Sequence, residues 1–230
     1  MKTIGMIGGM SWESSIEYYR IVNETVKEKL GGLHSAKCVM YSVDFAEIEA
    51  LQHAGRWKEA THAMIEAAYY VEASGADFLI ICTNTMHKMA DEVEAAIGIP
   101  LLHIADATAE AIKAGGLSKV GLLGTKFTME EDFYRGRLVK KHGLDVLIPN
   151  AEDREIVHRI IYDELVLGKI KSKSREAYKD IIEKLIADGA QGIILGCTEI
   201  GLLVKDKDSR VPLFDTTIIH AVSAVEMALE

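Results

Sequence analysis

The chain predicts an α/β fold: two pseudo-symmetric lobes, each a parallel sheet flanked by helices, with the active site in the cleft between them. Three observations point there. Strand-like apolar runs alternate with helix-patterned segments along all 230 residues, as in parallel sheets covered on both faces. Two stretches, Gly75-Ala76-Asp77-Phe78-Leu79-Ile80-Ile81-Cys82-Thr83-Asn84-Thr85 and Gly189-Ala190-Gln191-Gly192-Ile193-Ile194-Leu195-Gly196-Cys197-Thr198-Glu199, follow one plan: a Gly-Ala turn, a short apolar run, then a polar cluster with cysteine. The match extends in the same order from Gly5-Met6-Ile7-Gly8 to Gly121-Leu122-Leu123-Gly124, and from Ile99-Pro100-Leu101-Leu102 to Val211-Pro212-Leu213-Phe214.

Residues 2–7 read as a strand, followed by the loop Gly8-Gly9-Met10-Ser11 and a helix over 13–30. A strand at 37–43 and a helix at 57–73 lead to a strand at 78–81. Apolar runs this short, bounded by glycine and polar residues, suit buried parallel strands. A helix at 86–96, a strand at 100–104 and a helix at 106–114 close the first half, and Gly115-Gly116 punctuates it. The second half places strands at 119–123, 146–148, 192–195 and 211–214, with helices at 129–142, 154–167, 174–188 and 216–229. The expected domains are 1–115, with the terminal helix 216–230 packing back on it, and 116–215.

The formal charge of −9, with no basic stripe against it, argues against nucleic acid as a partner. No apolar run approaches bilayer length, and the N-terminus lacks a signal-peptide pattern, so no membrane partner is expected. Three cysteines, Cys38, Cys82 and Cys197, make no disulfide framework. The expectation is a reduced, cytoplasmic protein. No His/Cys/Asp spacing matches a zinc site, and Gly5-x-x-Gly8-Gly9 is not the dinucleotide fingerprint.

Strand ends are where α/β sheets hold ligands. A cysteine there can move a proton at carbon once a helix N-terminus or nearby donors lower its pKa. Both polar clusters open a helix or turn, which would favour thiolate or a substrate carboxylate. Hydroxyls of Thr83, Thr85, Thr125, Thr128 and Thr198, with the Asn84 amide, would line a pocket for a small zwitterion. Cys38 lies inside a strand with no polar cluster around it and reads as packing. His87 and His103 follow strand ends and receive no role.

The loop Gly8-Gly9-Met10-Ser11, the run Cys82-Thr83-Asn84-Thr85-Met86-His87, the loop Gly124-Thr125-Lys126-Phe127-Thr128-Met129 and the run Gly196-Cys197-Thr198-Glu199 resemble the aspartate/glutamate racemase family over essentially the whole chain. The resemblance implies racemisation of amino acids without pyridoxal phosphate or metal, hence no cofactor, and frequent homodimers. It also implies two proton-transfer residues, one per lobe, on opposite faces of the α-carbon. The family's first motif is Cys-Asn-Thr, whereas here Thr83 precedes Asn84. Laying Gly75 on Gly189 without gaps also sets Thr83 opposite Cys197. One step along a strand reverses the face, so Cys82 should point into the lobe. The catalytic pair is therefore read as Cys197 and Thr83. The substrate-binding set is Met10, Ser11, Gln52, Asn84, Thr85, Thr125, Thr128, Thr198 and Glu199.

Where some aspartate racemases carry an arginine and a lysine, this chain has Gln52 and Leu165-Val166-Leu167; Arg56 is nearby. Side-chain preference is thus open between aspartate, glutamate and a broader set. Glu199 could orient Cys197, contact the ammonium group, or favour a helix start. The rival readings are an isomerase or decarboxylase of small dicarboxylic acids, and an amino-acid-binding or regulatory protein.

Overall fold

The computed structural model describes every residue, Met1–Glu230. It divides into two compact units, one of Met1–Ile104 with His220–Glu230 and one of Ala105–Ile219.

The first unit runs β1 (Ile4–Gly8), α1 (Trp12–Leu30), β2 (Cys38–Ser42), α2 (Phe45–His53), α3 (Trp57–Ala73) and β3 (Phe78–Ile81). A 3-10 turn (Thr85–Met89) and α4 (Ala90–Ala96) follow, in place of the single helix expected at 86–96. The strands are parallel in the order β2-β1-β3. The strand expected at 100–104 is reduced to one parallel bridge between Leu79 and Leu101. Pro100 has no N–H to donate, and Ile104 already begins the next helix.

Strand alternation assigns each side chain of this sheet a face. Ile4, Met6, Phe78, Ile80 and Cys82 pack with Tyr18, Ile21, Val22 and Val26 of α1, while Ile7, Leu79 and Ile81 pack with Met64, Ala67, Ala68 and Val71 of α3. Each fully buried aliphatic side chain of this kind stabilises by roughly 1.5–3 kcal/mol. Ala221, Ala224, Val225 and Ala228 at the chain's end join the α1 side, and the Lys2 N–H donates to the Ala228 carbonyl at 2.8 Å.

Helix α5 (Ile104–Ala114) opens the second unit, followed by β4 (Lys119–Gly124) and α6 (Lys126–Glu130). A π-helical turn (Asp132–Gly136) and α7 (Arg137–Lys140) come next, then β5 (Asp145–Leu147) and α8 (Ala151–Asp163). The single helix expected at 129–142 is interrupted because Glu131 is extended, with φ −92° and ψ 156°. After a 3-10 turn at Leu165–Leu167 come α9 (Ser172–Ala187), β6 (Ile193–Gly196) and α10 (Ile200–Leu203). A 3-10 turn at Asp206–Asp208 leads to β7 (Leu213–Asp215) and α11 (Thr216–Leu229). The four strands are parallel in the order β5-β4-β6-β7. No helix is long and apolar enough to cross a membrane.

Candidate active site

In the first unit, strand register sets the carboxyl ends of the three strands side by side: Gly8 pairs with Ser42, and Ile7 with Ile81. The chain leaves β1 through Gly9 at φ +93°, where a Cβ would stand 2.3 Å from the Val43 carbonyl oxygen. Only glycine fits both the conformation and the space. Ser15 on α1 staples this loop: its hydroxyl donates to the Ser11 carbonyl at 2.7 Å and accepts the Gly9 N–H at 2.8 Å. Met10 and Ser11 are thereby held buried at the strand end.

Beyond β3, Cys82 falls on the same face as Phe78 and Ile80, as strand alternation predicts. Cys82 is fully buried among Phe78, Ile80, Tyr18 and Ala221, and burial pushes its thiol pKa far up. Thr83, the next residue, is half-buried, whereas its neighbours Asn84 and Thr85 are buried. Gln52 reaches this segment from α2, its amide donating to the Met86 sulfur at 3.0 Å. Arg56 has a different engagement: its guanidinium donates to Glu59 from an exposed position, with Nε to Oε1 at 2.6 Å.

In the second unit, Gly124 and Gly196 end adjacent strands in register, and a Cβ on Gly124 would fall 2.7 Å from the Gly196 carbonyl oxygen. Thr125 caps α6, its hydroxyl oxygen accepting the Thr128 N–H at 3.3 Å, and the two threonine hydroxyls meet at 3.2 Å. Both are buried, and the Thr128 methyl packs on the paired glycines. One strand over, Cys197 donates its S–H to Glu199 Oε2 at 3.0 Å, and the Thr198 hydroxyl donates to the same oxygen at 3.0 Å. Thr217 on α11 fixes the turn from outside, donating to the Thr198 carbonyl at 3.3 Å.

The expected lowering of the cysteine pKa is reversed. Burial first, and then the negative charge and hydrogen bond of Glu199, hold the Cys197 thiol well above its ordinary pKa. The helix that follows has only four residues, Ile200–Leu203, too few turns for a dipole to offset burial. Cys197 is therefore a thiol paired with a buried carboxylate. Of the roles left open for Glu199, orientation of Cys197 is the one its hydrogen bond fits. Tyr178, which the sequence did not single out, lies buried on α9 within the field of both groups. Ser15 is equally silent in the sequence, since a serine one turn into a helix gives no sign that it braces a preceding loop. No group of three or more His, Cys, Asp or Glu side chains is arranged to hold a metal ion.

Chemically, a thiol with a carboxylate acceptor is a proton-transfer pair. The thiol can give its proton to a carbon acid's conjugate base, or pass it to the carboxylate and take one. The other candidate binding side chains are neutral in each unit, hydroxyls in the second and hydroxyls and amides in the first, suited to hydrogen-bond a carboxylate or an ammonium group.

A family profile described as Asp/Glu/Hydantoin racemase matches residues 7–224. Over 178 residues the chain is 26% identical to the broad specificity amino-acid racemase RacX of Bacillus subtilis strain 168, covering 74% of this chain and 73% of that protein. A crystal structure of an Asp/Glu racemase candidate from Yersinia pestis matches all of both chains at 59% identity and a TM-score of 0.93. An aspartate racemase homologue from Pyrococcus horikoshii OT3 matches all of both chains at 38% identity and a TM-score of 0.86.

Proposed function

Because the chain belongs to the Asp/Glu/Hydantoin racemase family, we propose that it racemises free amino acids by direct proton transfer at the α-carbon, without pyridoxal phosphate or metal. The observation that carries this reading is the Cys197–Glu199 pair at the end of β6. The resting thiol acts as acid by protonating the planar carbanion. It acts as base by giving its proton to Glu199 and taking the α-proton as thiolate. When the α-proton passes to Cys197, the carbanion takes a solvent proton relayed by the Thr83 hydroxyl on its other face, and the surplus proton on Glu199 returns to solvent; the opposite direction reverses each transfer. The first unit supplies the other face through Thr83, whose hydroxyl donates or relays a proton.

The substrate class is aspartate, glutamate or a broader set. Gln52, Asn84, Thr85 and Ser11 are all neutral and buried, and the Arg56 charge is matched by Glu59. Recognition by neutral groups supports a range of side chains, in keeping with the breadth named for the Bacillus relative.

The test is deuterium incorporation at Cα in heavy water, over a panel of L- and D-amino acids including aspartate and glutamate. The protein is first dialysed against chelator and a carbonyl-trapping reagent. Exchange with appearance of the opposite enantiomer is expected. No exchange on any amino acid, or exchange only after adding pyridoxal phosphate or a metal salt, overturns the reading.

A further inference from the structure

We infer that His87 is a positioning residue for the Thr83 face of the reaction, an inference that rests on the racemase reading above. His87 follows the polar cluster on the 3-10 turn Thr85–Met89 and is buried. Its Nδ1 lies 2.7 Å from the Thr83 carbonyl oxygen, and its Nε2 accepts the Ile104 N–H at 3.2 Å. A carbonyl can only accept and a backbone N–H can only donate, so these partners require the neutral imidazole with its proton on Nδ1. One ring thus joins the carbonyl of the proton-transferring threonine to the backbone at the start of α5.

The far end of that brace is itself fixed. The Leu102 N–H donates to the Leu79 carbonyl of β3 at 2.9 Å, and the Leu102 carbonyl accepts from His220 Nε2 at 2.9 Å. With Nε2 donating, His220 Nδ1 accepts the Tyr18 hydroxyl at 2.9 Å. The His103 and His220 rings pack against His87, with centroids 4.5 Å and 5.8 Å away. Residues 102–104 are therefore tied to β3 by the ladder and to Thr83 by His87. The Thr83 carbonyl cannot rotate without breaking its bond to the ring. The direction of the Thr83 Cα–Cβ bond, from which the hydroxyl is presented, is held with it.

The experiment compares wild type with His87→Leu, His87→Asn and His87→Gln. It follows inversion, and deuterium uptake into the recovered starting enantiomer, from each enantiomer in heavy water. Asparagine can place its amide N–H near the Nδ1 position and keep the bond to Thr83; glutamine places its amide nearer Nε2. If His87 positions Thr83, His87→Leu slows inversion roughly tenfold or more, as small misplacements of a reacting group do. KM changes little. Exchange from the enantiomer whose α-proton faces Cys197 falls less, so exchange per inversion rises. His87→Asn recovers inversion and His87→Gln does not. The same ranking decides the matter if His87→Leu fails to fold. Equal losses of exchange and inversion in all variants, tracking their melting temperatures, would show a packing role and overturn the inference. Wild type that neither exchanges nor inverts any amino acid fails at the racemase reading itself, and the inference falls with it.

Discussion

Replacing Cys82 by alanine separates packing from chemistry at the end of β3. The sulfur is fully buried among Phe78, Ile80, Tyr18 and Ala221. Its removal forfeits about 0.8 kcal/mol of transfer free energy, as for a methylene. A void of that size adds about 0.5 kcal/mol more where the surroundings relax only in part. The sum of about 1.3 kcal/mol corresponds to a fall in melting temperature of about 3–5 °C for a chain of this length. Turnover, followed by polarimetry, should stay within about twofold of wild type, because the thiol faces the core. Thr83→Ala should do the converse. The residue is half-buried, so melting moves by about 1 °C, as for most surface substitutions, while inversion is strongly impaired. Cys82→Ala protein that melts like wild type but no longer racemises would refute the register argument. So would Thr83→Ala protein with undiminished inversion.

Two further outcomes follow from the second unit's thiol and the first unit's buried imidazole. Cys197→Ser should fold normally yet lose α-proton exchange by at least about a hundredfold, since a hydroxyl is far less acidic than a thiol; exchange at the wild-type rate in heavy water would exclude Cys197 from the reaction. Burial lowers the His220 pKa to about 4, against about 6.5 in the unfolded chain. The unfolded state then binds the extra proton between those values, so stability is full above pH 6.5 and declines as pH falls toward 4. The loss is about 3 kcal/mol, and His220→Gln should flatten it in denaturant titrations at pH 7.5 and 4.5. An identical pH dependence in both proteins would dismiss His220 as the source.

The parts of the fold legible in the sequence are those whose burial repeats with a clear period. Phe78–Ile81 is a strand within the limits its apolar run suggests, and Trp57–Ala73 and Thr216–Leu229 are helices over the expected residues. Helix α2 is not legible in the sequence because only Ile48 and Gln52 of its nine residues are buried, which leaves no apolar stripe. Its sign was Asp44, whose side chain accepts the Ala46 N–H as a cap. The inward placing of Cys82 could be read because strand alternation is strict and the internal repeat gives a second ruler. The protonation of Cys197 could not, since a glutamate two residues on serves a helix start as readily as a sulfur. Only folding turns Glu199 Oε2 toward both Cys197 and Thr198. His87 is silent in the sequence for a like reason, because its bond back to Thr83 needs the tight turn of a 3-10 helix.

The pairing of Cys197 with Glu199 bears on how this sulfur meets oxidants and electrophiles. Alkylation, disulfide exchange and the first step of oxidation to sulfenic acid all proceed through the thiolate. Burial and the adjacent carboxylate keep Cys197 in the other form, and burial also raises Cys38 and Cys82. Iodoacetamide at neutral pH therefore finds little thiolate on any of the three cysteines. The contact that gives Cys197 a proton acceptor also guards its sulfur against alkylation and the first step of oxidation.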